Sequence, residues 1–596
     1  MSDDLYDLAG LAASLEAALG AVLAEGAAAA EGGAAASAAD DEGAGRRAAG
    51  IELDLPPRRE QGDVTTNAAL VNAKRAHSAP RDLARRLGDA WLAAGGDTVC
   101  ERLDVAGPGF VNLFLRPTWF RGAVQRMLDA GPDYGRGVLP PERRRRINVE
   151  FVSANPVGPL HVGNARYGAM GDALCRLFAF AGHEVGREYY VNDAGTQMVL
   201  FGQTLAARYA QQLGIAAEVP EQGYQGAYVV DMARDLVAEV GERYRAAVAA
   251  AAPDMTRLAD DVVTELKLWG RDRMVAQFRE TLGRLRIRHD IWTNERSLYE
   301  GEREHRGFHG EVAEALAELD AEGLLYEHEG AVWLRTTAYG DDKDRVLIRS
   351  TGEPTYFLSD IAYHRDKMDR GFEHLIDIWG ADHHGYVPRM KAAFTALPPH
   401  DPGRLELIIG QFVNLLEGGE QKRMSKRKGT IVTVDDLVDA IGVDATRFAM
   451  VSRSHDTPLD LDLDLVVQQS SQNPVYYVQY AHARICSILR TLRERTGRTP
   501  PDEVPEVAVG ADEKALVLTL ARFPFVVLAA VEQRAPHRLH TYLGELAAQF
   551  HVFYRQCRVL VDDEDVSAFR TGLCAASRQT LATGLDLLGV SAPESM

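Results

Sequence analysis

Residues 147–182 read INVEFVSANPVGPLHVGNARYGAMGDALCRLFAFAG, and this stretch decides the fold. Its first six residues form a short, mainly apolar run, which is typical of a buried strand, and a loop containing Pro and Gly follows. Beyond the loop, apolar residues recur at intervals of three and four, which predicts a helix that ends at Gly182. A strand, a loop and a helix N-terminus in this order favour phosphate binding, because free backbone N–H groups and the helix dipole attract an anion.

The predicted helix begins at the four residues His161-Val162-Gly163-Asn164. His161 and Asn164 offer neutral hydrogen-bond donors, and Gly163 lacks the Cβ that would keep a flat purine away from the backbone. An ordinary strand-to-helix turn with a capping asparagine would also explain these residues. These four residues therefore leave both a nucleotide site and a purely structural turn open.

A second stretch, residues 422–430, reads KRMSKRKGT and carries five basic residues within seven positions. Basic clusters are usually solvated surface runs, but this one follows an apolar segment and the pair Gly418-Gly419, which suits a mobile loop that brings charge to a polyphosphate. Together the two stretches resemble, in the right order, the HIGH and KMSKS motifs of class I aminoacyl-tRNA synthetases. Here the motifs read HVGN and RMSKR.

Composition indicates several domains and argues against membrane insertion and secretion. A chain of 596 residues suggests three or four domains, and 46% apolar residues is enough for real cores. The N-terminus is acidic and unlike a signal peptide, and we find no run of about 18 apolar residues. The five cysteines have no CxxC spacing, which disfavours a zinc site and a disulfide framework. We therefore predict a cytoplasmic protein with no metal site of its own.

A net charge of −20 argues only weakly against a nucleic-acid partner. Binding to phosphates depends on local patches of Lys and Arg rather than on the total charge. Three such patches lie at residues 143–146, 422–428 and 484–495.

Residues 1–115 are predicted to form a small α/β domain, with residues 26–50 as a flexible, low-complexity insertion without chemistry. Its GDVTTNAA segment, the helical pattern over residues 80–92 and the VAGPGFVN segment resemble, in this order, the N-terminal domain peculiar to arginyl-tRNA synthetases. In that family the domain holds the tRNA elbow. The resemblance therefore implies that Phe110 stacks on a base and that Asn112 contacts a base edge.

Residues 356–367, YFLSDIAYHRDK, place a carboxylate among apolar neighbours. Asp360 would be costly to bury without a cation, and a guanidinium is the cation that carboxylates bind best. Tyr356, four residues earlier, could stack on that guanidinium, whereas the structural alternative makes Asp360 a cap for a helix starting near Ile361. The spacing resembles the arginine-binding segment of arginyl-tRNA synthetases, which favours the functional interpretation.

Two further predicted strands end in polar turns, at REYYVNDAGTQ (residues 187–197) and IDIWGADHHG (residues 376–385). Such turns lie at the carboxyl edge of a parallel sheet, where open α/β folds bind ligands. A plain polar turn remains the alternative for the first. A metal site at Asp382-His383-His384 is disfavoured, because adjacent strand residues point to opposite faces and no further ligand cluster accompanies them.

From residue 472 onward the chain is helical with short connections, which predicts a helical bundle. Tyr476, Tyr480 and Arg484 interleave aromatic and basic side chains, a composition suited to unstacked RNA bases, although aromatic residues at this spacing also occur in cores. The closing segment resembles that of the family, but Ser595 stands where its arginine usually is.

The predicted architecture is α/β. It comprises an N-terminal tRNA-elbow domain (1–115), a linker (116–145), a Rossmann-like parallel-sheet catalytic domain (146–460) with a helical insertion near 205–320, and a helical anticodon-binding domain (461–596). The resemblance implies an arginine-tRNA ligase that uses ATP with Mg²⁺, L-arginine and tRNA(Arg), and we expect a monomer. Three alternatives remain. A nucleotidylyltransferase would have no use for an RNA-binding bundle, and a silent tRNA-binding paralogue is disfavoured because His161, Lys426 and Asp360 are all present. The cysteine enzyme would need a zinc site, which the sequence lacks.

The resemblance also assigns the site residues. The catalytic residues are His161, Asn164 and Lys426. The ATP-binding residues are His161, Gly163, Asn164, Gly380, Asp382, His383, Arg423, Met424, Ser425 and Lys426. The arginine-binding residues are Asn155, Glu188, Asn192, Asp193, Gln197, Tyr356 and Asp360. Two residues depart from the motifs: Asn164 replaces a histidine, keeping a neutral donor, and Arg423 replaces a lysine, keeping the charge.

Overall fold

The structure is a computed structural model that describes residues 3–31, 51–421 and 432–596, with side chains for residues 5–25, 51–421 and 432–596. The whole basic stretch, residues 422–430, with Arg423, Met424, Ser425 and Lys426, lies outside the described residues. So does most of the low-complexity segment.

The strands of the described part are β1 (Val64–Thr66), β2 (Cys100–Ala106), β3 (Phe110–Leu115), β4 (Arg146–Glu150), β5 (Glu184–Val191), β6 (Ile291–Asn294), β7 (Glu304–His305), β8 (Phe308–His309), β9 (Leu325–His328), β10 (Ala331–Leu334), β11 (Arg345–Ile348), β12 (His374–Gly380), β13 (Leu405–Gly410), β14 (Val413–Glu417), β15 (Glu420–Gln421) and β16 (Leu459–Asp462).

The helices of the same part are α1 (Leu8–Glu31), α2 (Ala68–Asn72), α3 (Pro80–Ala93), α4 (Pro117–Ala130), α5 (Val162–Ala181), α6 (Gly195–Gln212), α7 (Ala227–Val240), α8 (Arg245–Ala251), α9 (Asp260–Arg284), α10 (Gly310–Ala321), α11 (Tyr356–Asp369), α12 (Val387–Ala396), α13 (Val434–Ile441), α14 (Val443–Met450), α15 (Leu463–Val466), α16 (Pro474–Thr496), α17 (Ala511–Ala521), α18 (Phe523–Glu532), α19 (His537–Gln556) and α20 (Glu564–Leu587).

The central sheet is parallel throughout, in the order β13-β12-β4-β5-β6. The chain leaves β4 toward β5 on one side and later returns to β12 on the other, so the strand order reverses beside β4. Ligands of such sheets bind outside the carboxyl ends of the strands at this point of reversal. The predicted fold class is confirmed, and the stretch over residues 147–182 forms the β4–α5 unit at its centre.

Helix α5 is buried along nearly its whole length and ends at Gly182, which takes a left-handed backbone conformation (φ 113°). Two glycines let it lie close to its neighbours. A Cβ on Gly171 would come within 2.3 Å of the Phe151 ring, and one on Gly168 within 2.9 Å of Ile287. This close packing holds the helix N-terminus in place over the end of β4.

The N-terminal part contains the antiparallel sheet β1-β3-β2, with α1 packed on α3. Helix α1 continues to Glu31, so it includes the first six residues of the predicted low-complexity insertion, residues 26–50. Alanine has the highest helix propensity, which explains why this alanine-rich stretch prolongs the helix.

The segment predicted as a linker, residues 116–145, contains the helix α4, which packs against α17 and α20 of the C-terminal bundle. The Arg121 guanidinium in α4 donates to the Val504 carbonyl at 2.8 Å. The predicted insertion over residues 205–320 is mostly helical, but it also contains β6, the edge strand of the central sheet. With only four half-buried residues, β6 shows no clear strand period.

Two stretches, Leu8–Glu25 and Ala511–Glu532, are long and apolar enough to cross a membrane by length and composition alone. The first lies in α1, whose apolar side chains belong to the core, and the second covers α17 and α18 of the bundle. Helices that pack inside a protein core meet the same criterion, so these two stretches do not by themselves indicate a membrane protein.

Candidate active site

The start of α5 is closed by two hydrogen bonds, one accepted by the His161 ring and one donated by the His161 backbone. The Gly163 N–H donates to His161 Nδ1 at 3.1 Å, and the His161 N–H donates to Asn164 Oδ1 at 2.9 Å. Asn164 is therefore a capping residue, as the structural alternative proposed, although its amide nitrogen can still donate. In a neutral ring that accepts at Nδ1, the proton sits on Nε2, which makes the outer edge of His161 a donor.

The chain that follows the undescribed residues 422–431 is anchored at this same helix start. The Val162 N–H donates to the Val432 carbonyl at 3.2 Å, and the Val434 N–H donates to the Leu160 carbonyl at 2.9 Å. Thr433 pairs with His161 in an isolated antiparallel bridge. Lys426 thus lies six residues upstream of a segment fixed beside His161.

Helix α11 places Tyr356 in its first turn and Asp360 one turn later on the same face. The cap of this helix is Thr355, so the alternative that Asp360 caps it is wrong. The Tyr386 hydroxyl donates to Asp360 Oδ2 at 2.5 Å. Burial raises the pKa of Asp360, and no Lys or Arg of the described chain forms an ion pair with it.

A second carboxyl group, that of Glu295, lies near enough to Asp360 to feel its charge, and it was missed from the sequence. Glu295 is 3% exposed, and its Oε2 has no hydrogen-bond partner among the described residues. Burial, with repulsion from the carboxylates of Asp360 and Asp193, raises its pKa to about 7, although a hydrogen bond from Ser359 opposes the rise. Glu295 follows β6 directly, so recognising that strand would have placed Glu295 at the carboxyl edge of the sheet.

The turn after β5 lies against Tyr356. A Cβ on Gly195 would come within 2.1 Å of the Tyr356 hydroxyl, so only glycine leaves room for that ring. The Asn155 amide donates to Gln197 Oε1 at 2.7 Å and thereby ties the β4–α5 loop to the start of α6. Asn192 is half-buried in the same turn.

Two residues predicted to bind arginine have partners inside the protein. Glu188 is fully buried, and its carboxylate accepts from Asn148, Thr293 and Arg370 at 2.5–3.0 Å. Asp193 pairs with Arg271 at 2.7 Å. Glu188 therefore belongs to the interior of the sheet rather than to the pocket surface, and Asp193 acts on the pocket through its charge.

At the ends of β12 and β13, Gly380 and Gly410 make room for Tyr167 of α5. A Cβ on Gly410 would lie 2.4 Å from the Tyr167 ring, and one on Gly380 would lie 2.6 Å from Asp382 Oδ1. Asp382 and His383 follow in an exposed turn, 3.7 Å apart between His383 Nε2 and Asp382 Oδ2. This end of the pocket is open and polar, which suits a ribose and phosphates.

Beneath the pocket, a buried charge network holds α11 on the sheet. Lys367 Nζ lies 2.6 Å from Glu150 and 2.8 Å from Asp377, and all three side chains are almost completely buried. His364 bridges Asp377 Oδ2 at 2.7 Å and the Asp360 carbonyl at 2.6 Å. Burial alone would lower the pKa of His364, but the Asp377 carboxylate raises it. The network fixes the backbone that carries Asp360.

The predicted RNA-contacting residues of the bundle share one half-exposed face of α16. The rings of Tyr476 and Tyr480 are parallel with centroids 5.9 Å apart. The Arg484 guanidinium lies 4.6 Å from the Tyr480 ring and 5.0 Å from the ring of Tyr554, which is 40% exposed. Tyr554 extends this aromatic and basic surface from α19, and no local sequence pattern indicates that it lies there.

In the N-terminal domain, Phe110 begins β3 at the tip of the β2–β3 hairpin and is 38% exposed. Asn112 is buried, and its Oδ1 accepts from the Thr65 hydroxyl at 2.6 Å. Phe110 is thus available to a partner, whereas Asn112 is held within the sheet.

Three family models match the chain. They are the arginyl tRNA synthetase N terminal domain over residues 26–115, the class I (R) tRNA synthetase catalytic domain over residues 133–485, and the DALR anticodon binding domain over residues 478–596.

Relatives match over nearly the whole length. An arginine–tRNA ligase from Syntrophotalea carbinolica is 46% identical over 92% of this chain and 95% of its own, and one from Desulforudis audaxviator is 44% identical over 99% and 100%. The structure of Thermus thermophilus arginyl-tRNA synthetase shares the fold, with a TM-score of 0.71 over 98% of this chain and 100% of its own, at 24% identity. These matches confirm the predicted family: the chain belongs to the arginyl-tRNA synthetases.

Proposed function

We propose that this chain activates L-arginine with MgATP to arginyl-adenylate and transfers the arginyl group to the 3′-terminal adenosine of tRNA(Arg). The observation that carries the amino-acid specificity is the pair of carboxyl groups, Asp360 and Glu295, that share a pocket without a cation from the described chain. The names of the relatives agree with this activity.

A guanidinium is the ligand that this pocket fits best. It carries a permanent positive charge and presents parallel N–H donors that match carboxylates. Both carboxyl groups have raised pKa values, chiefly because each is buried, and the Asp360 carboxylate adds to the rise at Glu295. A bound cation would relieve that cost. Tyr356 at the pocket mouth offers a ring for stacking on the guanidinium plane. Asn155, Asn192 and Gln197 lie toward the sheet edge, where we place the ammonium and carboxylate of arginine.

The ATP end needs no protein base, because the arginine carboxylate is already a nucleophile. It attacks the α-phosphate, and pyrophosphate leaves with Mg²⁺. The protein has to align the reactants and stabilise the negative charge of the five-coordinate phosphorus. We assign donation to the phosphates to His161 and Asn164, and neutralisation of the leaving pyrophosphate to Lys426. The remaining assigned ATP-binding residues are Gly163, Gly380, Asp382, His383, Arg423, Met424 and Ser425.

The tRNA partner is assigned to two surfaces, the Tyr476, Tyr480 and Arg484 face of the bundle and Phe110 of the N-terminal hairpin. Aromatic rings with an adjacent guanidinium suit unstacked bases. We further propose that the protein works as a monomer in the cytoplasm, where tRNA is charged. Light scattering of the purified protein with and without tRNA tests the monomer.

The decisive experiment is charging of bulk tRNA with each labelled amino acid in turn, with MgATP, for wild type and for Asp360→Ala. We expect charging with arginine alone and its loss in the variant. Asp369→Ala is the matched control, because Asp369 lies at the exposed end of the same helix, where it forms an ion pair with Arg365.

Arginine charging that survives Asp360→Ala would support the proposed activity but contradict the assignment of Asp360 to the arginine pocket. Charging with another amino acid would overturn the specificity. A protein that binds tRNA but charges nothing would be the silent paralogue.

A further inference from the structure

The loop between β4 and α5 adopts a conformation that its own sequence does not favour. Val152 and Ser153 both take positive φ values, 75° and 36°, and the first is a β-branched residue. Such conformations cost free energy and persist only where the surroundings impose them, most often at functional sites. This loop carries Asn155 toward the pocket, so the groups that impose its shape control where Asn155 lies.

Both ends of the loop are held by the catalytic core. The Ala154 N–H and carbonyl each hydrogen-bond with the Tyr189 hydroxyl at 3.1 Å. At the other end, residues 160–162 pair with residues 432–434, next to His161. The middle of the loop has a different support.

That support comes from the helical insertion. Tyr228, in the first turn of α7, donates its hydroxyl to the Val157 carbonyl at 2.5 Å. The same hydroxyl covers Gly158, where a Cβ would come within 3.1 Å of it. Tyr228 is largely buried, and burial raises the pKa of its hydroxyl, so this group stays protonated and donating.

The contact reaches Asn155 through the backbone. The Val157 N–H donates to the Asn155 carbonyl at 2.8 Å, which links the backbone of the two residues directly. The Asn155 side chain is bound in turn by Gln197 of α6, the helix against which α7 packs. The loop is therefore held at two points, at its backbone by Tyr228 of the insertion and at the Asn155 side chain by Gln197 of α6.

We propose that Tyr228 is a positioning residue for arginine, through which the helical insertion sets the position of Asn155 in the amino-acid pocket. This inference rests on the proposed function. His161 has its own anchor in residues 432–434, so the ATP end does not depend on Tyr228. The inference thus predicts a selective effect on arginine.

The test is Tyr228→Phe, which removes one hydroxyl and keeps the ring. We expect the KM for arginine in aminoacylation to rise about three- to tenfold, as for the loss of one hydrogen bond, while the KM for ATP changes less than about twofold. The thermal midpoint should stay within about 2 °C of wild type, because a single contact at a loop adds little to global stability. Tyr224→Phe is the matched control, since Tyr224 lies in the same insertion and packs on Phe201.

A second variant tests the same contact from the loop side. Gly158→Ala adds a methyl group 3.1 Å from the Tyr228 hydroxyl and should also raise the KM for arginine. Combined with Tyr228→Phe, the alanine should cost less than it does alone, because the atom it crowds is gone. Non-additivity of this kind identifies a direct interaction.

An unchanged KM for arginine in Tyr228→Phe, or equal increases for arginine and ATP, would overturn the proposal. So would strict additivity of the two variants. These outcomes are distinct from failure of the proposed function, in which the wild type would not charge arginine or Asp360→Ala would leave charging intact.

Discussion

At the residue scale, the two carboxyl groups of the pocket predict that arginine binding releases a proton. The pKa of Glu295 is raised to about 7, so in the free protein this group is mostly protonated below that pH. A guanidinium favours its ionised form. Binding should therefore tighten as pH rises, by about tenfold between pH 6 and 8, and then level off. Calorimetry in two buffers of different ionisation enthalpy measures both the affinity and the proton release.

The free energy of unfolding of the arginine-free protein should decrease as pH rises, whereas the affinity for arginine increases. A carboxyl group whose folded-state pKa lies above its unfolded value contributes stability below about pH 4.5, and this contribution is lost as pH rises through about 7. Glu295→Gln should remove both effects and weaken arginine binding at every pH. An affinity for arginine that does not change between pH 5.5 and 8 would show that Glu295 does not meet the guanidinium.

Lys426 gives the second prediction at this scale. Lys426→Ala should lower the rate of arginyl-adenylate formation by roughly 10²–10³, as expected for the loss of one donor that acts in the transition state. The measurement is arginine-dependent pyrophosphate exchange in the presence of tRNA. Lys391→Ala, an exposed residue of α12, is the control. A decrease of less than about threefold would remove Lys426 from this role.

At the element scale, the start of α5 raises the question of whether Asn164 caps the helix or also binds phosphate. Asn164→Asp separates the two roles, because aspartate keeps the oxygen that accepts from the His161 N–H but puts a negatively charged oxygen, which phosphate repels, in place of the amide donor. If Asn164 donates to ATP, this variant should keep its thermal midpoint and lose about 10²-fold or more in adenylation rate.

Asn164→Ala completes that comparison, since it removes cap and donor together and should also lose about 1 kcal/mol of stability. Full activity in Asn164→Asp would make the residue a cap only. A lowered thermal midpoint in Asn164→Asp would instead show that the cap itself needs the amide.

The same elements show what the sequence alone could predict. The β4–α5 unit was predictable because its apolar period, its Pro and Gly loop and its terminal glycine are all local signals. β6 was missed because four half-buried residues carry no clear period, and Glu295 was missed with it. Asp360 and Tyr386 are 26 positions apart in the sequence, and Asp193 and Arg271 are 78 apart. Only the tertiary fold therefore shows that these carboxylates have hydrogen-bond partners within the protein.

At the scale of the whole molecule, a buried arginine is among the residues that join the catalytic domain to the bundle. Arg447 of α14 donates to Asp172 of α5 at 2.6 Å, to the Leu285 carbonyl at 2.7 Å and to the Leu588 carbonyl at 2.9 Å. Burial lowers its pKa, and the Asp172 carboxylate opposes that effect. The arginine thereby ties the helix that begins at His161 to the end of α20, the last helix of the bundle.

Gly589 is the position where this junction tolerates no side chain. It has a φ of 68°, and a Cβ there would lie 2.2 Å from Arg447 Cζ. Gly589→Ala should therefore strain the backbone and push the guanidinium away from Asp172, leaving a buried charge without its partner. We expect a loss of about 3 kcal/mol or more in the free energy of unfolding by urea.

Gly544→Ala is the control for this substitution, because Gly544 lies within α19 and a Cβ added there would have no neighbour within 4 Å among the described residues outside its own helix. Alanine there should be neutral or stabilise by up to about 1 kcal/mol, since it is the better helix former. If Gly589→Ala unfolds at the same urea concentration as wild type, the junction can rearrange around a methyl group. Arg447 would then not be the rigid connection between the bundle and the helix at the active site, and the two domains would have to communicate through other contacts.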